Sequence, residues 1–111
     1  MVHRRPPGSD NELPLLIVRD TMAALDGLGV AARKRGGAQI VAVTGSVGKT
    51  GSKEALRRAL GRLGPTHASA GSLNNQWGVP LSLARMPLET RYGVFELGMN
   101  DPGEIAALSR L

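Results

Sequence analysis

The stretch Ile40-Val41-Ala42-Val43-Thr44-Gly45-Ser46-Val47-Gly48-Lys49-Thr50, running straight into Gly51-Ser52-Lys53-Glu54-Ala55-Leu56, limits the folds open to this chain more than any other. It begins as an apolar, β-branched run, which reads as a buried strand. A short turn follows with glycine at 45 and 48, then Lys49-Thr50, then residues at helical spacing. Glycines let the backbone curl so that N–H groups converge, and the helix that follows brings its positive end to the same point. A lysine there supplies a mobile charge for phosphate oxygens, and a threonine hydroxyl can sit on Mg²⁺. The expected site is therefore one for ATP. The general pattern G-x-x-x-x-G-K-[ST] asks for glycine where this chain has Val43, so a tight strand-to-helix turn that happens to carry Lys-Thr is the plainer alternative.

The rest of the chain arranges itself about that turn. Residues 1–12 are polar and aperiodic and read as a poorly ordered tail. Leu13-Pro14-Leu15-Leu16-Ile17-Val18 is a short strand candidate, and Asp20 or Thr21 caps a helix whose inner face is Met22, Ala23, Leu25, Leu28 and Ala32. Arg33-Lys34-Arg35 suits the negative end of that helix, and Gly36-Gly37 end it. After the strand at 39–44, a helix at about 50–63 presents Ala55, Leu56, Ala59, Leu60 and Leu63 to the core. Lys53, Glu54, Arg57, Arg58 and Arg62 are expected to face water. Thr66 to Ser69 form a second strand, paired in parallel with the first across a right-handed crossover. His67, in that strand, is given no catalytic role.

Residues 70–77 form a loop rich in side-chain amides, leaving the sheet edge where open α/β folds bind ligands. By composition Asn74 and Asn75 are turn formers, and Trp77 is a packing anchor. Gly78-Val79-Pro80 opens the next helix, and Tyr92 to Gly98 is a third strand with Glu96 near its end. A carboxylate in that place is costly to bury alone, so Glu96 is expected to be metal-bound or charge-paired, near Lys49 and Thr50. Asp101 and Pro102 read as the cap and first residue of a last helix, with Glu104 reaching back. The fold class is thus α/β, a parallel phosphate-loop NTPase-like sheet with flanking helices.

Composition narrows the function classes. With 111 residues and no cysteine, the chain has no disulfide framework and no thiolate metal site. No apolar run approaches the ~20 residues that span a bilayer, and the N-terminus lacks the apolar core of a secretory signal. A net charge of +5 suits anionic partners, but aromatics make up only 3% and the basic residues are scattered, which argues against nucleic acid.

Three segments together resemble the Mur ligase family, the ATP-dependent amide-forming enzymes of bacterial peptidoglycan synthesis. Thr44-Gly45-Ser46-Val47-Gly48-Lys49-Thr50 is similar to that family's phosphate loop, T-G-[ST]-x-G-K-T, in which Val43 is no departure. Leu73-Asn74-Asn75-Gln76-Trp77-Gly78-Val79-Pro80-Leu81 resembles an N-N-x-x-G-V-P segment of the family, and Phe95-Glu96-Leu97-Gly98-Met99-Asn100 with Gly103-Glu104-Ile105 resembles an E-x-G-x-N-x-x-G-E-I segment. The resemblance implies a cytoplasmic ligase that joins D-alanyl-D-alanine to a UDP-N-acetylmuramoyl-tripeptide through an acyl phosphate, with ATP and Mg²⁺. It implies that residues 44–50 hold the nucleotide, that Lys49 and Glu96 are catalytic, and that Thr50 and Glu96 ligate Mg²⁺. For Asn74 and Asn75 it implies a place toward the nucleotide or muramyl substrate rather than a mere turn.

It also implies a division of the chain. Residues 13–37 correspond to the last strand of an N-terminal domain with a linker helix, and 38–111 to the front of an incomplete central ATP-binding domain. The downstream histidine and carbamylated lysine that the family uses for a second Mg²⁺, and its C-terminal domain, have no counterpart in these residues. The polypeptide alone is therefore expected not to catalyse ligation. A non-catalytic ATP-binding or partner-binding module is the competing reading.

Overall fold

The computed structural model describes residues 1–5 and 14–111. Their order is α1 (Thr21–Gly36), β1 (Gln39–Val43), α2 (Lys49–Gly61), β2 (Thr66–Ala68), α3 (Gly78–Ala84), β3 (Tyr92–Glu96) and α4 (Glu104–Leu108). The three strands form one parallel sheet in the order β1-β3-β2. The expectation that β1 and β2 pair directly is corrected: β3 lies between them. β3, at the centre, is the most buried of the three. Val94 and Phe95 are almost wholly enclosed, whereas β1, expected to be buried, is half-exposed along an edge.

Side chains alternate across a strand, and here the alternation separates core from site. Phe95 and Leu97 join Val79, Leu83, Met86 and Leu108 in the hydrophobic core, on the face covered by α3. Glu96, one residue out of phase, falls on the face covered by α2 and meets Thr50. A single odd-even step thus delivers an acidic group to the helix that follows the glycine turn.

α1 begins at Asp20, whose carboxylate accepts from the Met22 and Ala23 N–H groups at 2.8 and 3.0 Å, as the sequence predicts. Its inner face differs from the expected one. Gly29 and Ala32 are buried, while Ala23 and Leu28 are exposed. Gly29 is there because α3 comes close: a Cβ at that position would lie 3.1 Å from the Pro80 backbone. The glycine that costs helix propensity lets two helices touch. Gly37, at φ 63, closes the helix in the left-handed region.

Elsewhere the local expectations divide. Leu13 lies outside the described residues, as does most of the expected tail. The run after it makes only an isolated bridge, Ile17 with Val2, rather than a strand. Trp77 is 52% exposed and anchors no core. α4 starts at Gly103, at φ 94, not at Asp101 or Pro102. Glu104 does reach back, accepting from the Asn100 and Asp101 N–H groups at 2.7 and 3.2 Å.

Candidate functional site

The site lies where β1 and β3 end and α2 begins. Thr44 to Gly48 link β1 to α2, and Gly45 and Gly48 take φ 146 and φ 79, a region closed to most side chains. The loop is exposed throughout, with Val47 at 91%. Among the described residues, no backbone hydrogen bond is donated by residues 45 to 51; the first amide of the helix to find a partner is that of Ser52, which donates to Gly48 O at 2.9 Å. α2 also has no acidic residue in its first turn. A run of unanswered N–H donors at the positive end of a helix is what an anion needs. Thr44, Gly45, Ser46 and Lys49, with Met99 and Ile105, line an open hollow of about 360 Å³ at this point.

Lys49 lies in the hollow with its ammonium donating to Gly45 O at 2.7 Å. It does not reach Glu96 by hydrogen bond or ion pair. Thr50, one residue further, does: its hydroxyl donates to Glu96 Oε2 at 3.0 Å. Glu96 is 2% exposed, and its other oxygen accepts from Asn74 Nδ2 at 2.8 Å. Its backbone N–H donates to Ser69 Oγ at 3.2 Å. Thr50 and Glu96 therefore offer two hard oxygen donors within one hydrogen bond of each other. Among the described residues there is no group of three or more His, Cys, Asp or Glu able to hold a metal, here or elsewhere. One hydroxyl and one carboxylate, beside a loop able to take phosphate, suit Mg²⁺, which binds few protein ligands and fills its octahedron with water and phosphate oxygens.

The two asparagines part company. Asn74 turns inward to Glu96. Asn75 accepts at Oδ1 from the Trp77 and Gly78 N–H groups at 3.2 and 2.9 Å, so it caps the entry to α3, the turn-forming use that its composition suggests. The residue that sequence reasoning missed is Lys53. Placed among the solvent-facing charges, it is instead 1% exposed, with Nζ donating to Ser69 O and Gly71 O at 2.8 Å each and lying 4.0 Å from Glu96 Oε2. Its position was legible in principle. Lys53 stands three residues before Leu56 and seven before Leu60, on the same helical face. His67 Nε2 donates to Ser82 O at 3.0 Å, and the ring packs against Phe95; it plays no part in the site.

This fold and site define an α/β domain with a parallel sheet flanked by helices and a glycine turn at the sheet's carboxyl edge. Residues 43–111 match the Mur ligase middle domain, and the chain belongs to the Mur ligase family. It is 47% identical over 97 residues to the UDP-N-acetylmuramoyl-tripeptide–D-alanyl-D-alanine ligase of Escherichia coli, covering 87% of this chain and 22% of that protein. The ligase of the same name from Bacillus subtilis is 38% identical over 108 residues, covering 97% of this chain and 24% of the other. A crystal structure of MurF from Acinetobacter baumannii superposes with a TM-score of 0.85 at 43% identity, over 97% of this chain and 23% of that one. MurF from Thermotoga maritima in complex with ADP superposes at 0.79 with 28% identity, over 98% of this chain and 25% of that one. The chain thus spans about a quarter or less of the length of these relatives.

Proposed function

We propose that this chain is the nucleotide-binding front of a ligase that adds D-alanyl-D-alanine to UDP-N-acetylmuramoyl-tripeptide in the bacterial cytoplasm. The observation that carries the reading is the Thr50–Glu96 contact of 3.0 Å, set beside a loop whose amides donate to no described residue. One side of the hollow suits phosphate oxygens, and the other suits their counter-ion. The names of the relatives supply the substrates, and the ADP complex among them supplies the nucleotide class.

In this reading the amides of Gly45, Ser46, Val47 and Gly48, with Thr44 at the loop's entrance, hold the triphosphate of ATP. Lys49 exchanges Gly45 O for a phosphate oxygen. Thr50 and Glu96 would hold Mg²⁺, which when bound would supply charge neutralisation for phosphoryl transfer. Asn74 keeps the Glu96 carboxylate oriented, and Asn75, on the same loop, lies toward the nucleotide or muramyl substrate. The tripeptide carboxylate takes the γ-phosphoryl group, releasing ADP. The amine of D-alanyl-D-alanine then attacks the acyl carbon, and inorganic phosphate leaves as the amide forms. Positioning and charge neutralisation are nearly all that such a transfer asks of the protein. Residues 13–37 act as connector, and 38–111 carry the nucleotide half of the site.

Titration of the 111-residue polypeptide with Mg-ATP tests this directly. Saturable binding is expected, weakened at least about tenfold by Lys49→Ala, since a hydrogen bond to a charged group is worth about 1.5–3 kcal/mol. Binding that ignores Lys49→Ala, or a preference for single-stranded DNA that collapses as salt is raised, would overturn it. In a coupled phosphate-release assay with ATP and both co-substrates, these 111 residues alone are expected to show no turnover.

A further inference from the structure

Among the buried charges of the described residues, only Lys53 is left without a role by this account. An ammonium at 1% exposure is costly unless its charge is answered, and a simple space-filling role would be met by leucine or methionine. The groups that answer it come from two separate places. Ser69 O and Gly71 O, on the chain leaving β2, accept at 2.8 Å. Glu96 Oε2, at the end of β3, lies 4.0 Å away. Lys53 itself stands one turn beyond Lys49 on α2. Glu54 Oε1 is also 3.9 Å distant, but that residue is half-exposed, and its other oxygen takes Arg57 Nε at 2.8 Å. Ser69, which Lys53 grips, and Asn74, three residues beyond Gly71, both bind Glu96: the first at its backbone N–H, the second at its carboxylate.

We propose that Lys53 is a positioning residue for the Mg²⁺ pair, an inference that rests on reading Thr50 and Glu96 as that pair. By pinning residues 69–71 to α2, it sets the height of Asn74, which holds one oxygen of Glu96 and leaves the other aligned with the Thr50 hydroxyl. It touches neither metal nor nucleotide. Its loss therefore acts on the metal-dependent part of nucleotide binding and spares the part carried by the loop amides and Lys49.

The test compares ADP affinity in Mg²⁺ and in EDTA, by calorimetry on the unmodified polypeptide and on Lys53→Met. The expected result is a loss of about tenfold in Mg²⁺ with less than about twofold change in EDTA, partly restored by Lys53→Arg. Equal losses in both conditions mean that Lys53 only holds the fold, and no loss in either means that it positions nothing; each result overturns the proposal. If the unmodified polypeptide binds ADP equally well in both conditions, the Thr50–Glu96 reading falls and this inference with it. Should Lys53→Met not fold, the ammonium ¹⁵N signal of Lys53 in the unmodified protein serves instead. It should shift with Mg-ADP and stay still with ADP in EDTA; a signal that moves equally or not at all overturns the proposal.

Discussion

Val47 and Lys53 are close neighbours in sequence, yet one is 91% exposed and the other 1%. The loop around Val47 makes almost no internal hydrogen bonds, and its glycines hold it in an unusual backbone shape. Around Lys53 the reverse holds, since Asn74, Ser69 and Thr50 are all tied to Glu96. The contrast separates two tasks. In the proposed reading, a loop that takes up an anion keeps its donors uncommitted, whereas a carboxylate for a small, geometrically demanding cation is fixed in advance.

If that division is right, mutations on the two sides should separate stability from binding. The largest effect is expected from Glu96→Ala. It leaves Lys53 without its buried counter-charge and strips acceptors from Thr50 and Asn74, so unfolding free energy in urea should fall by about 3 kcal/mol. On the open side, Lys49→Ala should move stability by less than about 0.5 kcal/mol, its cost appearing in nucleotide affinity. A comparable stability loss in both variants would break the contrast.

Two glycines sharpen it. At Gly78, a Cβ would lie 2.5 Å from the Leu73 carbonyl carbon, which is backbone and cannot move aside cheaply. Gly78→Ala should cost about 2 kcal/mol through overpacking. At Gly48 a Cβ would meet nothing within 4 Å, and the strain is only that of φ 79. Gly48→Ala should cost about 1 kcal/mol, and Gly48→Asn less, since asparagine tolerates that region. Thermal unfolding of the three variants side by side decides the order.

The strand, the turn and the start of α2 could be read from sequence because each is specified locally, by β-branched runs, glycines and helical spacing. Glu96 could be read too, since an acid at the end of an apolar strand must find a partner. Lys53 could not be read by charge, because lysines are almost always on the surface; only its phase with Leu56 and Leu60 betrayed it. The insertion of β3 between β1 and β2 was hidden for a different reason. Which parallel strands become neighbours depends on contacts distant in sequence, and nothing within 39–68 encodes them. Trp77 misled through size alone, for a large apolar side chain is an anchor only where a groove exists to receive it. Asp101-Pro102 looked like a helix start by composition, but Gly103 supplied the left-handed φ at the cap and moved the start downstream.

The smallest expected effect lies at the rim of the hollow, at Glu104. Its carboxylate accepts from the Asn100 and Asp101 N–H groups, which hold its pKa below the usual 4.5. A depressed folded-state value means that ionised Glu104 favours the folded turn, a contribution present above about pH 4.5 and lost as pH falls through the lower folded value. The side chain is exposed, so the change should be local: faster hydrogen exchange at the Asn100 and Asp101 amides under acid, with global unfolding scarcely affected. Glu104→Gln should show the faster exchange already at neutral pH and no further acid step. Met99 and Ile105, on either side of this turn, line the hollow that also holds Lys49. An exchange step at the turn that leaves nucleotide affinity unchanged would confine the fixed side of the site to Lys53 and Glu96. A matching drop in affinity would extend it to α4.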